Sequence, residues 1–124
     1  MKSGTGVRRV DKPWGYELIW AETSDYVGKH LHVRAGQALS LQYHETKDET
    51  IFVHSGVVTV TFGESMEDLR TRTMRPGEAI RLPPGTIHRM VAETDVDLFE
   101  ASTPQLDDLV RLDDSYGRTG TSEP

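Results

Sequence analysis

The stretch SLQYHETKDETIFVHSG, residues 40–56, decides how the chain is read. Side chains two apart on a strand share a face. Ser40, Gln42 and His44 therefore project together, and Leu39 and Leu41 pack the other way. The polar run from Glu45 to Asp48 reads as a turn that brings the next strand alongside. On that strand Glu49, Ile51 and Val53 share a face, and Gly56 closes the segment. Alternate polar residues usually mark a solvated face. Here an amide, an imidazole and a carboxylate return to the same side of adjacent strands, which is also how a metal site is assembled.

The chain has 124 residues, one ordinary domain, long enough to bury a core without staples. It has no cysteine, which excludes disulfides, thiolate zinc sites and cysteine nucleophiles. Any metal must be held by His, Asp, Glu or amide oxygen. The formal charge of −6 argues against non-specific nucleic-acid binding but leaves room for a small anion held by a few local basic residues. No apolar run approaches membrane-spanning length, and MKSGTGVRRV lacks the apolar core of a secretory signal, so the cytoplasm is the default location.

Glycine and proline punctuate short runs rich in Val, Ile, Leu, Thr and Phe. Strands are expected at 16–20, 26–34, 38–44, 50–54, 57–62, 69–74, 79–83, 87–93 and 96–102. This spacing predicts an all-β sandwich or barrel. ESMEDL (64–69) reads as a loop, and LDDLVRLDDSYGR (106–118) as an ordered polar segment with one helical turn. The core is expected over about 12–118, with 1–11 flexible or at an edge and 119–124 frayed.

Two glycine-anchored blocks stand out. One runs Gly36, Gln42, His44, Glu49, Gly56, and the other Gly77, Pro83, Gly85, His88. Together they resemble the two motifs of the cupin superfamily, with Gln42 where the first motif usually has His. The resemblance implies a single-domain jelly roll, a double-stranded β-helix, with one divalent metal ion held by Gln42, His44, Glu49 and His88. The stiff turn Pro83-Pro84-Gly85 sets the place of His88. Two imidazoles, a carboxylate and an amide oxygen fill four places of an octahedron and leave two adjacent ones open. That set suits zinc first, with manganese, iron, cobalt or nickel as alternatives. Strand parity turns His30 and His32 away from Lys29, Leu31 and Val33, and His54 away from Glu49, so these three histidines are read as solvent-facing or at a sheet edge.

A narrower resemblance lies in KPWG (12–15), LSLQYH (39–44) and RLDDSYGR (111–118), which look like the isomerase domain of type II mannose-6-phosphate isomerases. In many bacteria that domain follows a mannose-1-phosphate guanylyltransferase domain. This chain is too short to contain one, so nucleotidyl transfer is not expected. Lys47 stands where the family has Arg, and Thr50-Ile51 where it has His-Trp. The resemblance implies aldose–ketose isomerisation of a sugar phosphate, most simply mannose 6-phosphate to fructose 6-phosphate through an enediolate. Lys29, turned inward by parity, is the first candidate for the proton shuttle. Arg118 is expected at the enediolate or the phosphate, and Lys47, Arg111, Tyr116 and Ser40 are the remaining substrate-binding candidates. Three other readings compete: a sugar-binding module without turnover, a related sugar isomerase or epimerase, and a non-haem iron dioxygenase built on His44, Glu49 and His88. A homodimer is expected from the family and from the need to protect edge strands.

Overall fold

A computed structural model describes residues 6–118 and 120–121. It holds twelve strands and no helix among those residues. They are β1 (Arg8–Lys12), β2 (Gly15–Glu22), β3 (Val27–Val33), β4 (Leu41–Tyr43), β5 (Glu49–Ser55) and β6 (Val58–Gly63). The second half adds β7 (Arg70–Met74), β8 (Ala79–Leu82), β9 (Ile87–Ala92), β10 (Val96–Ser102), β11 (Val110–Asp113) and β12 (Gly120–Thr121). They form two six-stranded sheets, ordered β1-β2-β3-β10-β5-β8 and β12-β11-β4-β9-β6-β7, here called sheets A and B. Every pairing is antiparallel.

The order explains the topology. From β3 to β6, and again from β7 to β11, each strand crosses to the other sheet, and the β6–β7 hairpin joins the two windings. This is the expected jelly roll. Each strand contributes alternate side chains to the space between the sheets. Leu31, Val33, Ile51, Val53 and Leu98 come from sheet A, and Val58, Val60, Met74, Met90 and Ala92 from sheet B. Trp14 joins this core and is 2 % exposed.

The glycines of the two sequence blocks sit at turns. Gly56 has φ +84°, and a Cβ there would lie 2.1 Å from the Asp95 carbonyl oxygen, so no other residue fits. Gly85 has φ +83°, and its N–H donates to the His44 carbonyl at 2.7 Å. That bond pins the start of β9 to the end of β4, which brings His88 beside His44.

Two sequence expectations change. The helical turn over 106–118 is absent: Val110–Asp113 is a strand that pairs with β4, and residues 114–117 form a turn. Leu109 and Arg111 are both buried, a period of two, and the edge of β4 supplies the hydrogen bonds that a helix would have made internally. Arg8–Lys12, expected to be flexible or at an edge, is an edge strand on β2. The expected strand 38–44 shrinks to Leu41–Tyr43 with an isolated bridge between Ala38 and Val91. Residues 64–69 are a loop, as read from their composition. The fraying expected of 119–124 falls largely outside the described residues, although Gly120–Thr121 pairs with β11.

Candidate metal centre and its cavity

A row of cross-strand partners crosses sheet B: Arg111 on β11 opposite Gln42 on β4, and Gln42 opposite His88 on β9. Sheet A faces this row with Glu49 from β5. His44 follows β4 directly. His44, Glu49 and His88 are all buried, and their ligand atoms lie within 4.8 Å of one another.

The protonation of the two imidazoles follows from their other contacts. His88 Nδ1 donates to the Thr86 carbonyl at 3.0 Å, and His44 Nδ1 donates to the Asp108 carbonyl. A neutral imidazole carries one proton, so both Nε2 atoms present lone pairs. These atoms are buried without a hydrogen-bond partner. They nevertheless lie 3.2 Å (His88) and 3.6 Å (His44) from the same oxygen of Glu49, Oε1. Three lone-pair donors aimed at one another repel unless a cation stands among them. The residues therefore fit a metal ion, with backbone carbonyls holding both imidazoles as outer partners do in metal sites.

Glu49 is kept anionic. Burial pushes its carboxyl upward, but the Lys47 ammonium opposes this and the carboxyl is held well below the usual range. Lys47 Nζ lies 3.1 Å from Glu49 Oε2 and 3.0 Å from Glu100 Oε2. Burial opposes the lysine's charge, yet the two carboxylates raise its pKa above the ordinary lysine value. The loop that carries Lys47 is shaped by Asp108, whose carboxylate accepts the N–H groups of Glu45, Thr46 and Lys47 at 2.9, 2.6 and 2.8 Å.

The cluster opens into a cavity with an unusual charge balance. Five cationic side chains line it, Lys12, Lys29, Lys47, Arg111 and Arg118, against three carboxylates, Glu17, Glu49 and Glu100. With Asp114, whose carboxylate pairs with Arg118, counted as well, the cavity surround carries an excess of one positive charge in a chain of net −6. Lys12, Arg111 and Arg118 are close enough to feel one another. Burial lowers the pKa of Lys12, Glu17 opposes that, and Lys29, Arg111 and Arg118 lower it further. Burial and then Arg118 lower that of Arg111.

The sequence-derived residues fare differently. Lys29 is turned inward as parity required, is 1 % exposed, and donates to Glu17 Oε2 at 3.2 Å. Arg118 lines the cavity with its guanidinium held by both oxygens of Asp114 at 3.0 Å. Arg111, Ser40 and Gln42 also line it, and the Ser40 hydroxyl donates to Gln42 Oε1 at 2.6 Å. Two candidates are committed elsewhere. Lys47, expected at the substrate, has its ammonium enclosed by two carboxylates. Tyr116, expected at the substrate, packs against the core, and its hydroxyl donates to Gln37 Oε1 at 2.6 Å and accepts from Ala38 N–H at 3.3 Å. His30, His32 and His54 face outward. His30 and His32 each lie 2.8 Å from Asp97 Oδ1, and His54 is exposed.

Glu17, Glu100 and Lys12 were not among the candidates. A signal existed for the first two. Glu17 alternates with Ile19 on β2, and Glu100 with Leu98 and Val96 on β10, so each is a carboxylate on an otherwise apolar face. Lys12 gives no such pattern, because Val10 is the one apolar residue of its strand.

Comparison with known proteins agrees with this geometry. A family model for the cupin domain matches residues 29–100. The chain belongs to the cupin family. Among curated proteins it is 33 % identical over 118 residues to the xanthan biosynthesis protein XanB of Xanthomonas campestris pv. campestris, covering 90 % of this chain and 24 % of that protein. It is 32 % identical over 117 residues to mannose-1-phosphate guanylyltransferase ManC of Salmonella typhimurium, covering 90 % of this chain and 23 % of that one. The chain thus spans about a quarter of the length of these relatives. Among solved structures, the capsular polysaccharide assembling protein CapF of Staphylococcus aureus superposes with a TM-score of 0.78 at 17 % identity, over 89 % of this chain and 32 % of that one, a likeness of fold. Among the described residues no helix is long and apolar enough to cross a membrane.

Proposed function

We propose that this cupin is a metal-dependent aldose–ketose isomerase of a sugar phosphate, with mannose 6-phosphate and fructose 6-phosphate as the first pair to test. The observation that carries the reading is the shared cavity: a three-ligand cluster, reached through His44 and Glu49, and a wall with excess positive charge meet in one space. A neutral sugar would not need that wall, whereas a sugar phosphate brings a charge near −2 that the wall offsets. Relatives named for mannose-1-phosphate guanylyltransferase and xanthan biosynthesis support a role near mannose phosphates.

His44, Glu49 and His88 would hold the ion, zinc first, and Gln42 would add an amide oxygen, which keeps a second lone pair while accepting from Ser40. A bound divalent ion would polarise the sugar oxygens and offset the negative charge of an enediolate. The chain's own residues supply the rest. Lys12, Arg111 and Arg118 bind the phosphate, and the Asp114 clamp on Arg118 orients its guanidinium before substrate arrives. Lys29 and Glu17 act as a pair in the proton transfer between C1 and C2, because their contact lets a proton pass within a buried site. Leu31, Leu39 and Trp14 close the cavity wall and exclude water.

A second reading keeps the same ligands. Ser40 already engages the oxygen of Gln42, which leaves two histidines and one carboxylate, the set of non-haem iron oxygenases. Protein stripped of metal and reloaded with zinc, manganese, iron, cobalt or nickel separates the two. Interconversion of mannose 6-phosphate and fructose 6-phosphate supports the isomerase. Oxygen uptake by the iron form with no isomerisation by any form supports the alternative.

A further inference from the structure

The two oxygens of Glu49 have different neighbours. Oε1 faces both histidines, at 3.2 and 3.6 Å. Oε2 faces the Lys47 ammonium at 3.1 Å. Lys47 is itself held from the far side by Glu100 Oε2 at 3.0 Å, and the Ser102 hydroxyl donates to the same Glu100 oxygen at 2.9 Å. The assembly is anchored at both ends. The backbone N–H of Lys47 donates to Asp108, and Ser102 sits directly opposite Glu49 in the pairing of β10 with β5. Lys47, Glu49 and Glu100 are at most 4 % exposed, so water does not compete for these contacts.

We propose that Lys47, tethered by Glu100, makes Glu49 a one-oxygen metal ligand. Carboxylates bind divalent ions through one oxygen or two. An ammonium is a compact point charge with three donors, so it can bridge carboxylates from two strands while withholding Oε2 from an ion beside Oε1. A two-oxygen Glu49 would occupy one further coordination position. Keeping that position open leaves room for both oxygens of a substrate diol. Lys47 and Glu100 are positioning residues in this account. The lysine stands where sequence reading expected a substrate contact, and its charge is used inside the protein.

The inference rests on the metal-site reading of His44, Glu49 and His88, and the experiment separates the two. Difference infrared spectra, zinc-loaded minus metal-free, report the separation between the antisymmetric and symmetric carboxylate stretches, which is wide for one-oxygen and narrow for two-oxygen ligation. Unlabelled and 13C-glutamate protein are compared so that glutamate bands are identified. The variants are Lys47→Arg, which can still reach Oε2, and the double variant Lys47→Met/Glu100→Gln, which removes the lysine without leaving Glu100 as a buried unpaired charge. Wild type and Lys47→Arg should show the wide separation, and the double variant the narrow one at comparable metal content. A narrow separation in wild type, or a wide one in the double variant, overturns the proposal. If the double variant does not fold, Glu100→Gln alone is read the same way: partial narrowing is expected, and an unchanged spectrum counts against the tether. Wild-type protein that retains no zinc and gives no difference band defeats the metal-site reading itself.

Discussion

His44, just past the end of β4, and His88, the β9 partner of Gln42, turn their unprotonated Nε2 atoms to one and the same oxygen of Glu49. Their Nδ1 protons are spent on backbone carbonyls, so rotating either ring to relieve the repulsion would lose a buried hydrogen bond. A cation resolves the arrangement. His88→Ala should therefore lower zinc affinity by more than about 100-fold, beyond what loss of an outer partner costs, with the β-sheet circular dichroism unchanged. Competition against a chromophoric chelator measures it.

The same arrangement predicts that metal stabilises the fold. With the free ion at about 100 times its dissociation constant, unfolding should become harder by about 2.7 kcal/mol. Thermal melts with and without a chelator test this. Equal melting temperatures in wild type but not in His88→Ala would be inconsistent with the site described.

Asp108 links the fold to the site, because its carboxylate caps the loop that carries Lys47 and its carbonyl orients His44. Asp108→Ala should cost about 2 kcal/mol, a part-exposed set of charge-assisted hydrogen bonds, and should weaken metal binding. The cost is pH-dependent. Burial pushes the Asp108 carboxyl up, but the three backbone N–H groups that donate to it hold it below the ordinary value. A depressed folded-state pKa stabilises above the unfolded value near about 4 and loses that contribution as pH falls through the folded one. Denaturant titrations of wild type and Asp108→Ala should converge in that acidic range.

Lys12 titrates early for a lysine, through burial and its cationic neighbours Lys29, Arg111 and Arg118. Its charge is lost as pH rises through a value below the ordinary one of about 10.4. Affinity for mannose 6-phosphate should fall along that alkaline limb. Lys12→Met should bind about tenfold more weakly at neutral pH, as for loss of one charge-assisted hydrogen bond, and should lack the limb. Calorimetric titration across alkaline pH reads both.

Much of the site was legible from period two alone. Parity on LSLQYH and ETIFV puts Gln42, His44 and Glu49 toward the interior, and Lys29 with them. The turn residues around Gly56 and Gly85 fixed where the strands reverse. Polar edge strands were harder. RRVDK has a single apolar residue, and in VRLD the alternation is inverted, with Arg111 buried and Leu112 exposed, so their strand character comes from β2 and β4 supplying hydrogen bonds. LDDLV mimics a helical spacing for the same reason. The fate of Lys47 was not legible at all. Its partner Glu100 lies 53 residues away on another strand, and only the β10–β5 register brings them together.

The central claim is a metal-dependent proton transfer on a sugar phosphate, and one measurement bears on it most directly. Mannose 6-phosphate is incubated in deuterium oxide with zinc-loaded and chelator-treated protein, and the sugar phosphates are followed by NMR. The account predicts fructose 6-phosphate together with deuterium at C2 of the recovered mannose 6-phosphate, with zinc and not without it. Zinc-loaded protein that binds the sugar phosphate yet yields neither product nor deuterium would contradict it.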